Sequence, residues 1–254
     1  SPARAMTLTS AAFNLGSVFG PLTGGWIGDR FGLRTVYFVA AVVVMASTVI
    51  LLFLRAQPRD GHDPDSPPAR LLTNQRFLGF LVITFVTMSV MYLPQPLTPK
   101  FLQNERGLSL SVIGWIGSAG SLGNALLNLL LGQFSTRLGF LLAQAAVALF
   151  ALLLWKGDNA IWYAVGYFLM GGFRAARMLI FAQVRPLIHQ AQMGLAYGIT
   201  ETVNSLTAIL APLLAGYLYT RDPVSVYPVS LALIGVAILI SLLFAPRDSV
   251  TNNQ

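Results

Sequence analysis

The chain has no cysteine and few charged residues, and these two absences exclude several kinds of protein. Without cysteine it can form neither disulfides nor thiolate metal sites. Only 10% of its 254 residues are charged, whereas 55% are hydrophobic. A soluble domain usually has about 25% charged residues, so this composition would leave large apolar patches in contact with water. The sequence therefore does not describe a soluble globular protein.

The apolar residues are gathered into long blocks. Eight blocks are present, at 5–28, 33–54, 77–97, 110–131, 138–155, 160–183, 194–219 and 226–245. About 20 residues in a helix, at about 1.5 Å per residue, cross a hydrocarbon core of about 30 Å. None of the blocks alternates apolar and polar residues, which argues against a membrane β-barrel. The sequence predicts an all-α polytopic membrane protein whose main partner is the lipid bilayer.

The net charge of +7 does not indicate a nucleic-acid partner. The cationic residues lie mostly between the apolar blocks, and no basic cluster outside a block has interleaved aromatic residues. The sequence also has no GxSxG, HExxH, Walker A or dinucleotide-binding pattern. We therefore expect no enzymatic activity, no cofactor and no bound metal.

Glycines recur at every fourth position from residue 16 to residue 32. Small residues at this spacing let a neighbouring membrane helix approach closely and gain dispersion contacts. Pro21 lies in the same segment, and a proline inside a helix predicts a local bend. Two interpretations stay open, namely a structural packing seam and a helix that bends or slides during a conformational cycle.

The segment "GSVFGPLTGG" resembles the glycine–proline motif on the fifth helix of major facilitator superfamily transporters, a motif often found in antiporters. The matching residues are Gly16, Gly20, Pro21, Gly24 and Gly25. The next segment, "GWIGDRFGLR", is also similar to the superfamily's loop between helices two and three. The resemblance therefore leaves two assignments, and features elsewhere in the chain decide between them.

An assignment to helices five to twelve fits the rest of the chain. The superfamily has a long cytoplasmic linker between helices six and seven, and here the longest hydrophilic segment, 55–76, follows two blocks and precedes six. In addition, residues 20–30 align with residues 211–221, and Pro21 repeats as Pro212. Such a repeat is expected of two related six-helix halves.

The resemblance implies a domain organisation. It predicts the last two helices of an N-terminal six-helix half at 1–55, a cytoplasmic linker at 56–76, a six-helix C-terminal half at 77–246 and a cytoplasmic tail at 247–254. Ten of the sixteen cationic residues then lie on the cytoplasmic side, in agreement with the positive-inside rule. The chain would be a fragment without helices one to four, and we expect no transport by these residues alone.

Polar residues are distributed unevenly among the blocks. The blocks at 33–54, 138–155 and 226–245 are almost purely apolar, which predicts lipid-facing, supporting helices. The others carry polar residues, and the candidates for lining a central cavity are Asn14, Tyr92, Asn124, Asn128, Tyr163 and Tyr167. For Asn124 and Asn128, hydrogen bonds between helices are an alternative to ligand binding.

Three charged residues lie well inside the apolar blocks, where a charge costs about 2.5–3.5 kcal/mol on insertion scales. They are Arg174, Arg177 and Glu201. The two arginines and Glu201 lie at similar depths on two consecutive helices, so Glu201 is predicted to pair with one of them. Tyr197 and Asn204 share a helix face with Glu201. The pair either fixes helix register or takes part in proton or substrate binding, and Arg174 is an alternative site for an anion.

These observations predict a secondary active transporter of a small molecule that works by alternating access. The expected coupling is proton antiport, and the expected direction is efflux. We expect a monomer in the plasma (inner) membrane, with the substrate and protons as its other partners. Two alternatives stay open, namely a polytopic membrane enzyme and a non-transporting sensor or scaffold that keeps the fold.

Overall fold

The computed structural model describes residues 2–53, 71–189 and 192–244, with side chains for 15–53, 71, 73–189 and 192–243. The described residues form helices and contain no strand. The α-helices are α1 (Pro2–Phe31), α2 (Leu33–Leu51), α3 (Gln75–Tyr92), α4 (Thr98–Asn104), α5 (Leu110–Leu131), α6 (Thr136–Lys156), α7 (Ala160–Met170), α8 (Gly172–Val184), α9 (Met193–Arg221) and α10 (Val226–Phe244). Most of the predicted linker and the whole predicted tail lie outside the described residues.

Seven helical stretches in the described part are long and apolar enough to cross a membrane, in agreement with the predicted polytopic fold. They comprise α2, α3, α5, α6, the stretch that contains α7 and α8, α9 and α10. The thirty-residue α1 is not among them, because its glycine, serine and threonine residues dilute its hydropathy. It resembles the 29-residue α9 in carrying an internal proline, Pro21 in α1 and Pro212 in α9.

Polar side chains mark where several helices begin. The side-chain oxygens of Asn74, Ser109, Ser135 and Asn159 accept hydrogen bonds from backbone N–H groups in the first turns of α3, α5, α6 and α7. These N–H groups have no partner within the helix, and a side-chain cap typically stabilises a helix by about 1 kcal/mol. The caps explain why the apolar stretches begin where they do.

The predicted span at 160–183 is one membrane-length stretch, as expected, but it consists of two helices. A short break at Gly171 separates α7 from α8, and its N–H donates to the carbonyl oxygen of Phe168 at 3.2 Å. A Cβ at Gly171 would overlap the backbone of Gly123 in α5. The close approach of α5 therefore accounts for a glycine at this point, a constraint that hydropathy alone does not reveal.

The helices pack around a core formed mainly by α3 to α10. Helix α5 lies between α1 and α7, α6 packs against α7, α8 and α10, and α3 packs against α9 and α10. Phe77, Met88, Phe101 and Phe150 are fully buried, while many large apolar side chains such as Leu243 are exposed. Such an outer surface suits contact with lipid, in which apolar side chains need no protein neighbour.

The expectation that the three purely apolar helices face lipid is only partly correct. Helix α2 contacts α1 and has no buried residue, as predicted. Helix α6 instead buries one face, and Ala143, Val147, Phe150 and Leu154 have no exposed surface. Leu142 and Leu149 on its other face are exposed, as expected of a lipid-facing helix. The buried face could not be foreseen, because leucine, valine and phenylalanine are equally suited to a protein core and to lipid, so composition cannot distinguish the two.

Helix α1 meets α5 at a seam of small residues. A Cβ at Gly25 would overlap the carbonyl oxygen of Leu110, and a Cβ at Gly114 would overlap the carbonyl oxygen of Pro21. A Cβ at Gly117 would lie 3.1 Å from the Pro21 ring. Only glycine at these positions lets the two backbones approach so closely, which is the packing that small residues permit in membrane helices.

Two serines of α5 hydrogen-bond across this seam. The hydroxyl of Ser118 donates to the carbonyl oxygen of Val18, and that of Ser121 donates to the carbonyl oxygen of Ser17, each at 2.6 Å. Interhelical hydrogen bonds of this kind contribute about 0.6 kcal/mol on average in membrane proteins. The contact between α1 and α5 therefore combines close packing with polar contacts.

Asp29 completes the seam at the start of α5. Its two carboxylate oxygens accept hydrogen bonds from the backbone N–H groups of Ser111 at 2.8 Å and Leu110 at 2.9 Å. A carboxylate is stabilised at a helix N-terminus by these N–H groups and by the helix dipole. Hydrogen bonding from Ser111, and then from Leu110, holds the pKa of Asp29 below its usual value.

The glycine–proline motif contributes unequally to this seam. Pro21 and Gly25 contact α5, whereas a Cβ at Gly16 or Gly20 would meet no described atom within 4 Å. A Cβ at Gly24 would lie 4.0 Å from a side chain of α2. In the described part of the chain, the seam therefore follows mainly the Pro21–Gly25 face. Of the regular stripe, Gly28 also meets α5, because a Cβ there would lie 2.9 Å from the Leu110 side chain.

We predict that Gly25→Leu weakens the contact between α1 and α5, because any side chain there meets backbone atoms of α5. The expected loss is about 1–3 kcal/mol of unfolding free energy, as for an overpacked core. Thermal unfolding in detergent and the yield of a disulfide between Ser17→Cys and Ser121→Cys would measure it. Gly16→Leu, on the same helix, is the matched control, and equal effects of the two substitutions would contradict the seam.

Candidate functional site

A cavity of about 480 Å³ lies among α3, α5, α7, α8 and α9. The turn that follows α3 also contributes to it. Its polar and aromatic lining residues are Tyr92, Gln95, Ser121, Asn124, Tyr167, Phe173, Arg174, Arg177, Asn204 and Thr207. Within the described residues, the apolar helices α2, α6 and α10 contribute none of the lining. The cavity therefore collects polar groups that would otherwise face hydrocarbon.

An ion pair joins α8 to α9 at this cavity. The guanidinium of Arg177 donates to the carboxylate of Glu201, and each side chain is about 40% exposed (39% and 41%). This is the pairing predicted from the matching depths of Glu201 and the two arginines. Because α8 and α9 make few other contacts, the pair is a principal link between them.

Arg174 also faces the cavity, but its charge is not compensated. It is exposed and has no hydrogen-bond or ion-pair partner within the described part of the chain. Arg174 lies three residues before Arg177, so the two guanidinium groups come from successive turns of α8. The lining thus offers a free guanidinium beside one that Glu201 already holds.

Asn204 is the most conspicuous polar residue of α9 in the cavity. The residue is only 7% exposed, and neither its buried amide nitrogen nor its buried amide oxygen has a partner in the described structure. A buried polar group without a hydrogen bond costs about 1–3 kcal/mol. The nearby hydroxyl of Thr207 does not satisfy the Asn204 amide, because it is hydrogen-bonded to the hydroxyl of Ser89 at 3.2 Å. Asn204 is therefore available to a bound molecule or to water.

The tyrosine candidates divide into two groups. Tyr92 and Tyr167 line the cavity, and the Tyr92 ring packs against Phe173 with ring centroids 5.3 Å apart. Tyr163 does not line it, because its side chain is buried and its hydroxyl donates to the carbonyl oxygen of Gly157 at 2.7 Å. Tyr163 therefore has a structural environment and not the cavity position expected from the sequence.

The asparagine candidates pair within one helix. The amide nitrogen of Asn128 donates to the backbone and side-chain oxygens of Asn124, at 2.9 and 3.0 Å. Asn124 lines the cavity, whereas Asn128 does not. Both residues belong to α5, which corrects the alternative of a hydrogen bond between helices. Asn14 lies in α1, but its side chain is outside the described residues.

Tyr197 lies one turn away from the ion pair, outside the cavity lining. Its ring meets Phe181 of α8 edge to face, with centroids 5.5 Å apart. Phe181 and Tyr197 are each four residues from Arg177 and Glu201, respectively. The aromatic pair and the ion pair therefore form consecutive layers between α8 and α9. Tyr197 belongs to the layer next to the ion pair.

Several residues of the site were not identified from the sequence. Phe173, Gln95 and Ser121 line the cavity, yet their types and spacing do not distinguish them from ordinary helix and turn residues. Asp29 is a second case, because the helix it caps begins 81 residues later. The available signals were that Gln95 has a proline on each side and that Asp29 directly follows Gly28. The described residues contain no cluster of His, Asp and Glu suited to a metal.

Comparison with known proteins identifies relatives. A family model described as Major Facilitator Superfamily matches residues 2–109 and 80–254. Tetracycline resistance protein, class B, from Escherichia coli is 22% identical over 257 residues, covering 92% of this chain and 63% of that protein. Multidrug resistance protein 1 from Bacillus subtilis is 23% identical over 254 residues, covering 95% and 64%. The chain thus spans less than two thirds of the length of these relatives.

We predict that the ion pair between Arg177 and Glu201 stabilises the packing of α8 on α9. Glu201→Gln or Arg177→Gln should each lower the free energy of unfolding by about 1–3 kcal/mol, between the values for exposed and buried pairs. Exchanging the two charges, with Arg177→Glu and Glu201→Arg together, should recover most of the loss in thermal unfolding. Arg174→Gln, which removes an unpaired charge on the same helix, is the control, and an additive double variant would contradict the pairing.

Proposed function

This chain belongs to the Major Facilitator Superfamily, and we propose that the protein moves a small molecule across a membrane by alternating access, in exchange for protons. The observation that carries the proposal is a polar cavity among apolar, membrane-length helices. Intramembrane ionisable residues are rare, and they usually mark substrate or proton pathways. The cavity is the substrate site in this proposal.

Glu201 is the proton-binding group of the proposed cycle. When its carboxylate is ionised, it holds Arg177 and links α8 to α9. Protonation removes the negative charge, so the attraction ends and the two helices can separate. A proton at Glu201 would therefore disrupt the arrangement of cavity residues on α8 and α9 and release the substrate. Such mutual exclusion of proton and substrate gives antiport.

The seam between α1 and α5 is the proposed contact at which the cavity opens and closes. Two of its hydrogen bonds end on backbone carbonyls, and Asp29 holds the first turn of α5. These contacts join two separate helices and replace none of the backbone hydrogen bonds within either one, so α1 and α5 can separate without unfolding. The glycine–proline motif resembles that of antiporters, which also supports the exchange of substrate for protons.

The relatives support efflux as the physiological direction. Two of them carry resistance to tetracycline or to multiple drugs in their names. A membrane enzyme is a weaker proposal because the sequence has no GxSxG, HExxH, Walker A or dinucleotide-binding pattern. A sensor or scaffold is also weaker, since a cavity with an unpaired arginine and asparagine offers a binding site that a scaffold does not need. We propose a monomer in the plasma (inner) membrane.

The test uses the longest native chain that contains these residues, reconstituted in liposomes that enclose a pH-sensitive dye. Tetracycline, ethidium, 1-naphthoate and inorganic phosphate are the trial compounds. We predict that the protein transports at least one of these compounds and that protons cross the membrane in the opposite direction. Glu201→Gln should abolish this proton movement and weaken compound-for-compound exchange, because the neutral amide cannot hold Arg177 by charge and so resembles the protonated state that releases the substrate.

Glu105→Gln is the matched control, since Glu105 lies at the end of α4 and outside the cavity lining. It should behave like the unsubstituted protein. Proton movement that is unchanged in Glu201→Gln would contradict the role of Glu201. Accumulation of a compound without any proton movement would contradict antiport but not transport.

A further inference from the structure

The cavity residues of α8 and α9 form a second layer beyond the ion pair. Arg174 is three residues before Arg177 on α8, and Asn204 is three residues after Glu201 on α9. Both residues line the cavity. Because the two helices follow one another as a hairpin, both steps lead away from the hairpin turn. Arg174 and Asn204 therefore lie about one helical turn from the ion pair, each on its own helix.

The charge of the cavity is not balanced. Arg174 and Arg177 are the charged lining residues within the described part, and Glu201 neutralises only the second of them. A guanidinium within a membrane-spanning segment usually pairs with an opposite charge or faces a water-filled cavity. An anionic ligand would balance the charge of Arg174, whereas a cationic ligand would add to the positive charge of the lining.

Asn204 points to the same conclusion independently. More than nine-tenths of its side chain is buried, yet its amide nitrogen donates to no group in the described structure. An amide N–H₂ is a good donor to a carboxylate or phosphate oxygen, and the amide oxygen can accept from a ligand hydroxyl or from water. The site thus contains one charged and one neutral donor for an anionic group.

Another part of the cavity wall is apolar and aromatic. Tyr92 packs on Phe173, and Met88, Met170 and Tyr167 also line the cavity. Methionine and aromatic side chains adapt to flat apolar molecules and give favourable contacts with their rings. A small inorganic anion would leave this surface unused, whereas a molecule with an aromatic body would cover it.

We propose that the substrate is an organic anion, with a carboxylate or phosphate group held by Arg174 and Asn204 and an aromatic body against Tyr92, Phe173 and the methionines. This inference rests on the proposed function, because it assigns a substrate class to the same cavity. The intact ion pair keeps α8 and α9, and hence Arg174 and Asn204, in the positions that hold the anionic group.

The experiment measures binding to the longest native chain that contains these residues, purified in detergent at neutral pH. The probes are 1-naphthoate, 1-naphthyl phosphate, 1-naphthamide, 1-naphthylmethylamine and inorganic phosphate. Calorimetry measures the binding of each one. One of the two naphthyl anions should bind about tenfold more tightly than the amide, as expected for a charge-assisted hydrogen bond. The amine and inorganic phosphate should bind more weakly than that anion.

Substitutions in the cavity should remove this preference selectively. Arg174→Gln should bring the anion to within about twofold of 1-naphthamide, whose binding verifies that the cavity is intact. Arg174→Lys should keep part of the preference, and Asn204→Asp should shift it toward the amine. Arg221→Gln is the matched control, because Arg221 ends α9 outside the cavity lining and should leave the preference unchanged.

Equal binding of anion and amide, or a preference for the amine, would overturn the inference, as would inorganic phosphate binding as tightly as the naphthyl anions. An anion preference that survives Arg174→Gln would overturn the assignment of Arg174. Failure here is separable from failure of the proposed function. Anion binding without transport would refute transport alone, and transport of amines with no anion preference would refute the substrate class alone.

Discussion

The ion pair between Arg177 and Glu201 is the interaction on which the organisation of the cavity depends. It joins α8 to α9, two helices that otherwise make few contacts. Hydrocarbon cannot hydrate either charge, so each is retained only with a partner or beside water. Placing the pair at the cavity satisfies both conditions, and it sets the positions of Arg174 and Asn204 one turn away.

The second constraint is that lipid satisfies no backbone hydrogen bond, so the chain must cross it as helices that pack through small residues. At the α1–α5 seam, Gly25 and Gly114 bring two backbones into contact, and Asp29 holds the start of α5. The cavity and the seam share α5, since Gly117 and Ser121 belong to both. A displacement of α1 therefore acts directly on the cavity wall.

Much of this fold could be predicted from the sequence, because long apolar blocks and lone charges within them have few physical solutions. The membrane-length helices and the pairing of Glu201 with a nearby arginine followed from block length and depth. Contacts between distant residues could not be predicted in this way. The cap from Asp29 to α5, the break at Gly171 and the buried face of α6 each depend on which helix lies opposite. Composition does not contain that information.

A water-accessible cavity within helices that cross the membrane is the feature on which the proposed transport depends most directly. Since the chain has no native cysteine, a single introduced cysteine reports on one position. Ala208→Cys lies in the cavity lining, and Leu239→Cys lies on the exposed apolar surface of α10. A membrane-impermeant, hydrophilic thiol reagent should label Ala208→Cys and leave Leu239→Cys unmodified in sealed vesicles. An unreactive Ala208→Cys together with a labelled Leu239→Cys would contradict the account.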